Sequence, residues 1–214
     1  MPLETSLVLI AILVLSAVMH EVAHGYAANF LGDPTARLAG RLTFNPIVHI
    51  DLFGSILLPG LLIMTGSPIL FGYAKPVPYN PYNLKGKFAE GFVAAAGSLS
   101  NLALAVILGL VIRFAASSMS GPFIEVVSLA IYLNLMLALF NMIPIPPLDG
   151  SKVFGALLPS SLAFKYQQFE SRMTALGPFS GFALVLLVFW AFSPVFSAVL
   201  RGLFLFIVGE PLLL

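Results

Sequence analysis

Long apolar runs leave this chain few ways to fold outside a lipid bilayer. Of its 214 residues, 59% are hydrophobic and only 9% are charged. A soluble domain of this length cannot bury so much apolar surface, whereas a stretch of about 20 apolar residues spans the hydrocarbon core of a membrane as a helix. The composition therefore predicts an α-helical polytopic membrane protein with about five or six membrane helices or re-entrant segments.

The length predicts a single membrane-embedded domain over residues 1–214. Its core is expected at residues 5–158, followed by a C-terminal helical segment at 173–209 that forms one span or two, because a proline interrupts it. The apolar run at 3–28 lacks a basic start and a small-residue cleavage site, so we expect a retained span rather than a signal peptide. A net charge of +1 without any basic run argues against nucleic acid as a partner.

Three stretches depart from the helical pattern. Residues 37–44 alternate polar and apolar side chains, which predicts a short strand or hairpin after the first helix. Residues 52–70 are apolar but contain prolines and glycines, which favours a broken, re-entrant segment over a straight span. Residues 71–81 are too rich in proline for a helix, so an extended segment is expected there.

The first apolar run ends in His20-Glu21-Val22-Ala23-His24. Ionisable side chains at bilayer depth cost several kcal/mol, so they need a partner or a function. Positions i and i+4 of a helix share one face, which lets His20 and His24 bind one metal ion from the same side. Glu21 is turned aside from that pair and is free to act as the base that deprotonates a water molecule. In a soluble helix such a pair is often only a solvated face, but here two of three histidines have ligand spacing within an apolar run.

Two histidines leave a zinc site one protein ligand short of the usual three. The chain has no cysteine, so the third ligand must be another histidine or a carboxylate. The candidates are Asp149, His49, Asp33 and Asp51. Asp149 is favoured because it follows three prolines that end a helix within an apolar region, where an unpaired carboxylate is expensive. Its alternative role is to cap the helix that begins next to it.

Two motifs together resemble those of the site-2 protease family of intramembrane zinc metalloproteases. The first is His20-Glu21-x-x-His24 in a membrane helix, and the second is Asn141-x-x-Pro144-x-Pro146-x-Leu148-Asp149-Gly150 in a later one. The stretch Gly97-Ser98-Leu99-Ser100-Asn101 resembles a third family motif, with serine where proline is common. The resemblance covers residues 10–158 and is strongest to compact bacterial members that lack PDZ and CBS domains, as this chain does.

The resemblance implies one zinc ion per chain, bound by His20, His24 and Asp149, with Glu21 as the general base. Asn101 corresponds to a residue thought to contact the substrate backbone or the oxyanion, although an interhelical hydrogen bond is an equal alternative. The implied reaction is hydrolysis of peptide bonds within or next to transmembrane segments, with single-span membrane proteins as substrates. The oligomeric state is left open.

Two other functions compete with proteolysis. A membrane metal transporter would also use intramembrane histidine and aspartate, but it would be expected to show repeated halves and several staggered sites. A non-proteolytic zinc hydrolase of lipid-soluble substrates would use the same chemistry. The chain shows neither repeated halves nor staggered sites, and Glu21 would have no role in transport. For the protease, an unwound substrate segment could bind by strand addition to the strand-like stretches near 37–44 and 71–79.

Lysine and arginine collect in three stretches, 31–51, 71–88 and 150–172. The N-terminal tail has none, and the turn near 113–122 has one. The positive-inside rule therefore predicts a multi-pass protein of the cell membrane with its N-terminus outside and its active site toward the cytoplasm. Residues 52–70 must then enter and leave the membrane on the same side.

Overall fold

The chain folds almost entirely into helices in the computed structural model, which describes residues 3–65, 73–175 and 177–209. Nine α-helices occur within these ranges: α1 (Leu3–Phe30), α2 (Thr35–Leu38), α3 (Pro46–His49), α4 (Leu58–Met64), α5 (Ala89–Ala115), α6 (Gly121–Asn141), α7 (Asp149–Leu157), α8 (Ser160–Ala175) and α9 (Pro178–Val208). A π-helical turn (Leu52–Leu57) precedes α4, and short 3₁₀ turns lie at Pro81–Asn83 and Ala116–Ser118. The prediction of an α-helical polytopic membrane protein is confirmed.

Four of these helices, α1, α5, α6 and α9, are long and apolar enough to cross a membrane. Helix α5 packs against α1, α6 and α9, so it lies at the centre of the bundle. A buried cluster that includes Ile131, Leu135, Leu200 and Phe204 joins α6 to α9. Small residues permit the closest approaches, since a side chain at Gly109 would collide with Ile207 of α9.

The C-terminal apolar region forms one span rather than two. Helix α9 runs from Pro178 to Val208 with Pro194 inside it. A proline removes one backbone hydrogen bond, but transmembrane helices tolerate this loss where neighbouring groups re-satisfy the freed carbonyl.

The predicted strand or hairpin after the first helix is wrong. Thr35–Leu38 and Pro46–His49 are short helices, and the described residues contain no strand. The alternation of residue types does not correspond to alternating burial: the apolar Leu38 and Phe44 are exposed, whereas Arg41 is buried and turns inward to carbonyl groups of the loop. A sheet needs a partner strand, and these contacts leave none.

The described helical part of the 52–70 region is too short to cross a bilayer. The π-helical turn and α4 contain six and seven residues, a total rise of about 20 Å against a hydrocarbon core of about 30 Å. Residues 73–75 lie beside residues 49–54, since the Tyr73 N–H donates to Gly54 O (3.1 Å) and the Lys75 N–H to His49 O (2.8 Å). Residues 66–72, which include the rest of the predicted re-entrant segment, lie outside the described residues.

The chain between α1 and α5 therefore begins and ends at the same end of the bundle. The Lys85 N–H donates to Leu31 O (2.9 Å), which places the start of α5 beside the end of α1. Between them, residues 73–80 are free of helix, as their prolines predict. This non-helical segment passes directly over the ionisable residues of α1.

Candidate metal centre

Helix α1 brings the two histidines of the sequence motif together. His20 and His24 lie one turn apart, and their ring centroids are 4.6 Å from each other in an edge-on arrangement. Both side chains are buried. Buried imidazoles at this depth need polar partners, and each ring has two.

Asp149 approaches both rings from the opposite wall. Its Oδ2 atom lies 2.9 Å from His20 Nε2 and 3.2 Å from His24 Nε2. The three residues each offer one ligand atom, and these atoms lie within 4.8 Å of one another. Leu148, not Asp149, occupies the N-cap position of α7, so the carboxylate is directed at the histidines rather than at the helix end.

The other three candidate ligands are occupied elsewhere. The Asp33 carboxylate accepts hydrogen bonds from Thr35, from the Asn80 N–H and from Asn83. Asp51 caps the π-helical turn by accepting from two backbone N–H groups. His49 is bonded through Nε2 to the Thr43 carbonyl (2.9 Å). Within the described ranges, only His20, His24 and Asp149 form a group of three such ligands.

Outer contacts orient the two imidazoles. His24 Nδ1 donates to the Val93 carbonyl (2.7 Å), and His20 Nδ1 lies 3.2 Å from Asn101 Oδ1. With Nδ1 as the donor, the lone pair of each Nε2 points toward Asp149 and toward the same small space. In metal sites, a ligating histidine commonly donates its second ring N–H to a carbonyl or carboxylate oxygen, which fixes the orientation of the ring.

Gly97 of α5 leaves room beside the ligand atoms. A Cβ at this position would lie 2.5 Å from His24 Nε2 and 2.6 Å from His20 Nε2. The space that a methyl group would fill therefore borders both nitrogens. Two imidazole nitrogens and one carboxylate oxygen, with a fourth position left open, form a donor set that suits catalytic zinc.

A cavity of about 260 Å³ opens at this cluster. It is lined by His20, Glu21, His24 and Asp149, and by Pro76, Val77, Tyr79, Val93, Ala94, Asn141, Pro147 and Lys152. Glu21 does not join the ligand group; its Oε2 accepts a hydrogen bond from the Val77 N–H (2.8 Å). The carboxylate thus lies at the wall of the same cavity as the three ligands.

Asn101 lies behind His20, in a buried polar network between three helices. Its Nδ2 donates to Asn134 Oδ1 (3.0 Å) and to Ser16 O (3.5 Å), while its Oδ1 faces His20. Asn134 donates in turn to Ser16 Oγ (2.9 Å). Asn101 is not among the residues that line the cavity, so the structure brings it to the site through His20.

Sequence reasoning missed the basic side of the cavity. Lys152 lies three residues after Asp149 on α7, and its Nζ donates to the Tyr79 hydroxyl, which donates to Glu90 Oε1 (3.4 Å). Burial lowers the pKa of Lys152, but its contacts with Tyr79, Glu90 and Asp149 outweigh this and raise the pKa above its ordinary value. For the Tyr79 phenol, burial disfavours the charged form and so raises the pKa. The helical spacing from Asp149 was the available signal for Lys152.

Comparison with known proteins gives a consistent family. Residues 110–188 match the profile of Peptidase family M50. YwhC of Bacillus subtilis is 40% identical over 178 residues, which cover 79% of this chain and 78% of YwhC. Rip2 of Mycolicibacterium smegmatis is 30% identical over 68% of this chain and 54% of Rip2. MJ0392 of Methanocaldococcus jannaschii is 27% identical over 95% of this chain and 48% of MJ0392.

The names of all three relatives contain the words zinc metalloprotease. The chain spans about half the length of Rip2 and MJ0392, and most of YwhC. No solved structure matches the chain. The match to YwhC, at 40% identity over more than three quarters of both chains, decides the relationship. The chain therefore belongs to peptidase family M50, and it is a multi-pass membrane peptidase.

Proposed function

We propose that this chain is an intramembrane zinc metalloprotease that hydrolyses peptide bonds within or next to transmembrane segments of other membrane proteins. The observation that carries the proposal is the meeting of His20, His24 and Asp149 within 4.8 Å, beside Glu21, in one cavity among membrane helices. The family membership indicates a peptidase, and the donor set suits zinc. Both therefore point to zinc-dependent peptide hydrolysis.

His20, His24 and Asp149 are proposed to hold one zinc ion per chain. When bound, zinc supplies a Lewis acid that makes water a nucleophile near neutral pH and polarises the scissile carbonyl. The chain's own contribution is to fix the donors: Val93 O and Asn101 Oδ1 hold the two rings, and Gly97 keeps the space beside their Nε2 atoms open. For Asn101 we propose this positioning role, because its amide donates to Asn134 and Ser16 rather than into the cavity.

Glu21 is proposed as the general base. Its carboxylate accepts the proton of the attacking water and then passes it to the nitrogen of the leaving amine, so the base is restored at the end of each turnover. The Val77 N–H, 2.8 Å from Glu21 Oε2, occupies one side of the carboxylate and leaves its other lone pairs for the water.

The substrates are membrane proteins within the bilayer, and we propose single-span proteins in particular. The carbonyl groups of a transmembrane helix are bonded within the helix, so the segment must unwind before water can attack it. The site is open to a cavity of about 260 Å³, which holds an extended stretch of a few residues but not a whole helix.

We further propose that the chain acts as one catalytic domain in the cell membrane, with residues 5–158 carrying the site and the segment 173–209 packing against them. Its N-terminus is placed outside and its active site toward the cytoplasm, on the distribution of lysine and arginine.

The test uses the purified chain in lipid vesicles with a single-span model protein. Wild-type protein should cleave the substrate, lose activity when a chelator removes the metal, and regain it with added zinc. Glu21→Gln should retain about one zinc per chain but cleave about 10²–10⁴-fold more slowly, the usual contribution of a general base. Glu125→Gln, an exposed carboxylate on α6, is the matched control and should cleave normally.

The same assay separates the competing functions. A metal transporter would carry zinc across the vesicle membrane without cleaving protein, and Glu21→Gln would leave this transport unchanged. A hydrolase of lipid-soluble esters would release product from an ester probe but leave the membrane protein intact. Either result, in place of zinc-dependent cleavage, would contradict the proposal.

A further inference from the structure

One peptide unit of the non-helical segment connects the general base to a distant arginine. The Val77 N–H donates to Glu21 Oε2 at 2.8 Å. The carbonyl of the same peptide unit belongs to Pro76, and it accepts a hydrogen bond from Arg41 Nη2 at 3.2 Å. The six atoms of a peptide unit are coplanar, so fixing the carbonyl also fixes the direction of the N–H.

Two further hydrogen bonds fix the position of the Arg41 guanidinium. Its Nη2 also donates to the Lys75 carbonyl at 3.1 Å, and its Nη1 donates to the Val48 carbonyl. The guanidinium thus connects Val48, in helix α3, to the non-helical segment at Lys75 and Pro76. Pro76 and Pro78 lack N–H groups, so neither residue can donate a backbone hydrogen bond to hold the segment.

The burial of Arg41 is unusual for a surface-loop arginine. Its side chain is only 8% exposed, and no carboxylate of the described residues lies within ion-pair distance of it. A buried cation without an anionic partner is costly, and here the cost is offset only by carbonyl oxygens. A planar guanidinium with five donors in a rigid fork suits three carbonyls at fixed positions, whereas an ammonium does not.

We propose that Arg41 is a positioning residue for the general base, acting on Glu21 through the Pro76–Val77 peptide plane. The guanidinium fixes the orientation of the plane, and its charge polarises the carbonyl, which strengthens the hydrogen bond from the N–H at the other end. Arg41 is not among the residues that line the cavity, so its effect on Glu21 is indirect. The inference rests on the proposed role of Glu21 in proteolysis.

The first experiment compares Arg41→Gln with Arg37→Gln, the matched control, because Arg37 is exposed on the neighbouring helix α2. Arg41→Gln should lower kcat by about 10–100-fold, the range seen for outer partners of metal sites, with KM and zinc content unchanged. Arg41→Lys should restore part of the loss, since one ammonium reaches fewer carbonyls. Arg37→Gln should match wild type. An unchanged kcat in Arg41→Gln, or a loss of kcat together with zinc, would overturn the inference.

A double-mutant cycle then separates positioning from general stabilisation of the loop. Val77→Pro removes the N–H that bonds Glu21 but keeps the Pro76 carbonyl, whereas Val77→Ala keeps both. If Arg41 acts through this plane, adding Arg41→Gln to Val77→Pro should cost little further kcat, while in Val77→Ala it should cost the full factor. Multiplied losses in the Val77→Pro background would show that Arg41 acts by another route.

Hydrogen exchange gives a measurement that does not depend on activity. Peptides covering 73–80 should exchange their amide hydrogens faster in Arg41→Gln than in wild type or Arg37→Gln, because the segment loses the two hydrogen bonds from Arg41 to its carbonyls. Equal exchange in all three proteins would contradict the inference. If wild-type protein showed no zinc-dependent cleavage at all, the proposed function would fail, whereas this exchange difference would still report the anchor.

Discussion

At the scale of single residues, the two ring nitrogens of each histidine in the site have different roles. Each imidazole uses Nδ1 for a hydrogen bond to another helix and leaves Nε2 toward Asp149. The Val93 carbonyl serves His24, and the Asn101 amide oxygen serves His20. Loss of a ligand and loss of the base should therefore have separable effects on metal content and turnover.

The ligand assignment predicts that His20→Ala, His24→Ala and Asp149→Ala all lose most of their zinc, because two donors rarely retain the ion that three hold. Metal analysis of the purified variants measures this directly. Asp51→Ala is the control, since its carboxylate caps a helical turn away from the cluster, and it should keep about one zinc per chain. Normal zinc in Asp149→Ala would remove this residue from the ligand set.

Gly97 offers a second test of the same geometry. Gly97→Ala should weaken zinc binding by at least about a hundredfold, because the added methyl group would lie 2.5–2.6 Å from the two Nε2 atoms. Zinc affinity can be measured by competition with a chromogenic chelator. Gly121→Ala, whose added Cβ would meet nothing within 4 Å, should bind zinc as wild type does. Equal affinity in both variants would place the metal away from α5.

At the scale of elements, the membrane helices do not meet the site in the same way. Helix α1 carries two ligands and the base, α7 carries the third ligand, and α5 supplies the glycine and the carbonyl beside the rings. Helix α9 packs against α5 near the other end of the bundle, around Gly109 and Ile207. The packing of α9 should therefore affect stability more than chemistry.

This division predicts that Gly109→Ala lowers the free energy of unfolding by about 1–3 kcal/mol through overpacking against Ile207, with normal zinc content. Unfolding in mixed micelles measures the change. Adding Ile207→Ala should relieve the clash, so the double variant should be more stable than the sum of the two single changes. Gly202→Ala, where an added Cβ meets nothing within 4 Å, is the control on α9. Additive losses in the double variant would indicate that the two positions do not touch.

At the scale of the whole molecule, the order of the helices sets which end of the bundle carries the site. The end of α1 lies beside the start of α5, and Arg113 near the end of α5 donates to Phe206 O near the end of α9 (3.2 Å). The catalytic end is shared by the loops that contain most of the lysine and arginine. The positive-inside rule therefore predicts that this end faces the cytoplasm.

Single cysteines test that orientation, because the chain has none of its own. Leu38→Cys and Tyr82→Cys, both at exposed positions of the catalytic end, should resist an impermeant thiol reagent added outside intact cells. Ser117→Cys at the opposite end should react. Labelling in permeabilised cells controls for accessibility of all three. Labelling of Leu38→Cys and Tyr82→Cys from outside would invert the topology, and labelling of only one would mean that the chain between them crosses the membrane.

The sequence by itself determined the parts of this protein that depend on local pattern. Apolar runs of helical length define spans because unpaired backbone groups are too costly in lipid, and the His20–Glu21–His24 spacing places three functional groups on one turn or two of α1. The proline-rich stretch before Asp149 likewise predicts a break in the helix at the right place. Local signals of this kind need no knowledge of the partner element.

Only the tertiary structure decided which distant groups meet. Asp149 lies 129 residues from His20, and its distance of 2.9 Å results from how α6 and α7 pack against α1 and α5. The stretch 37–44 alternates like a strand, yet Arg41 turns inward to carbonyls of residues 48, 75 and 76, which its own segment does not reveal. Gly97 and Lys152 likewise lie at the site because α5 and α7 pack beside α1 there. Each of these contacts depends on the relative position of two elements. The packing of the whole bundle sets that position, so it cannot be predicted from any single segment of the sequence.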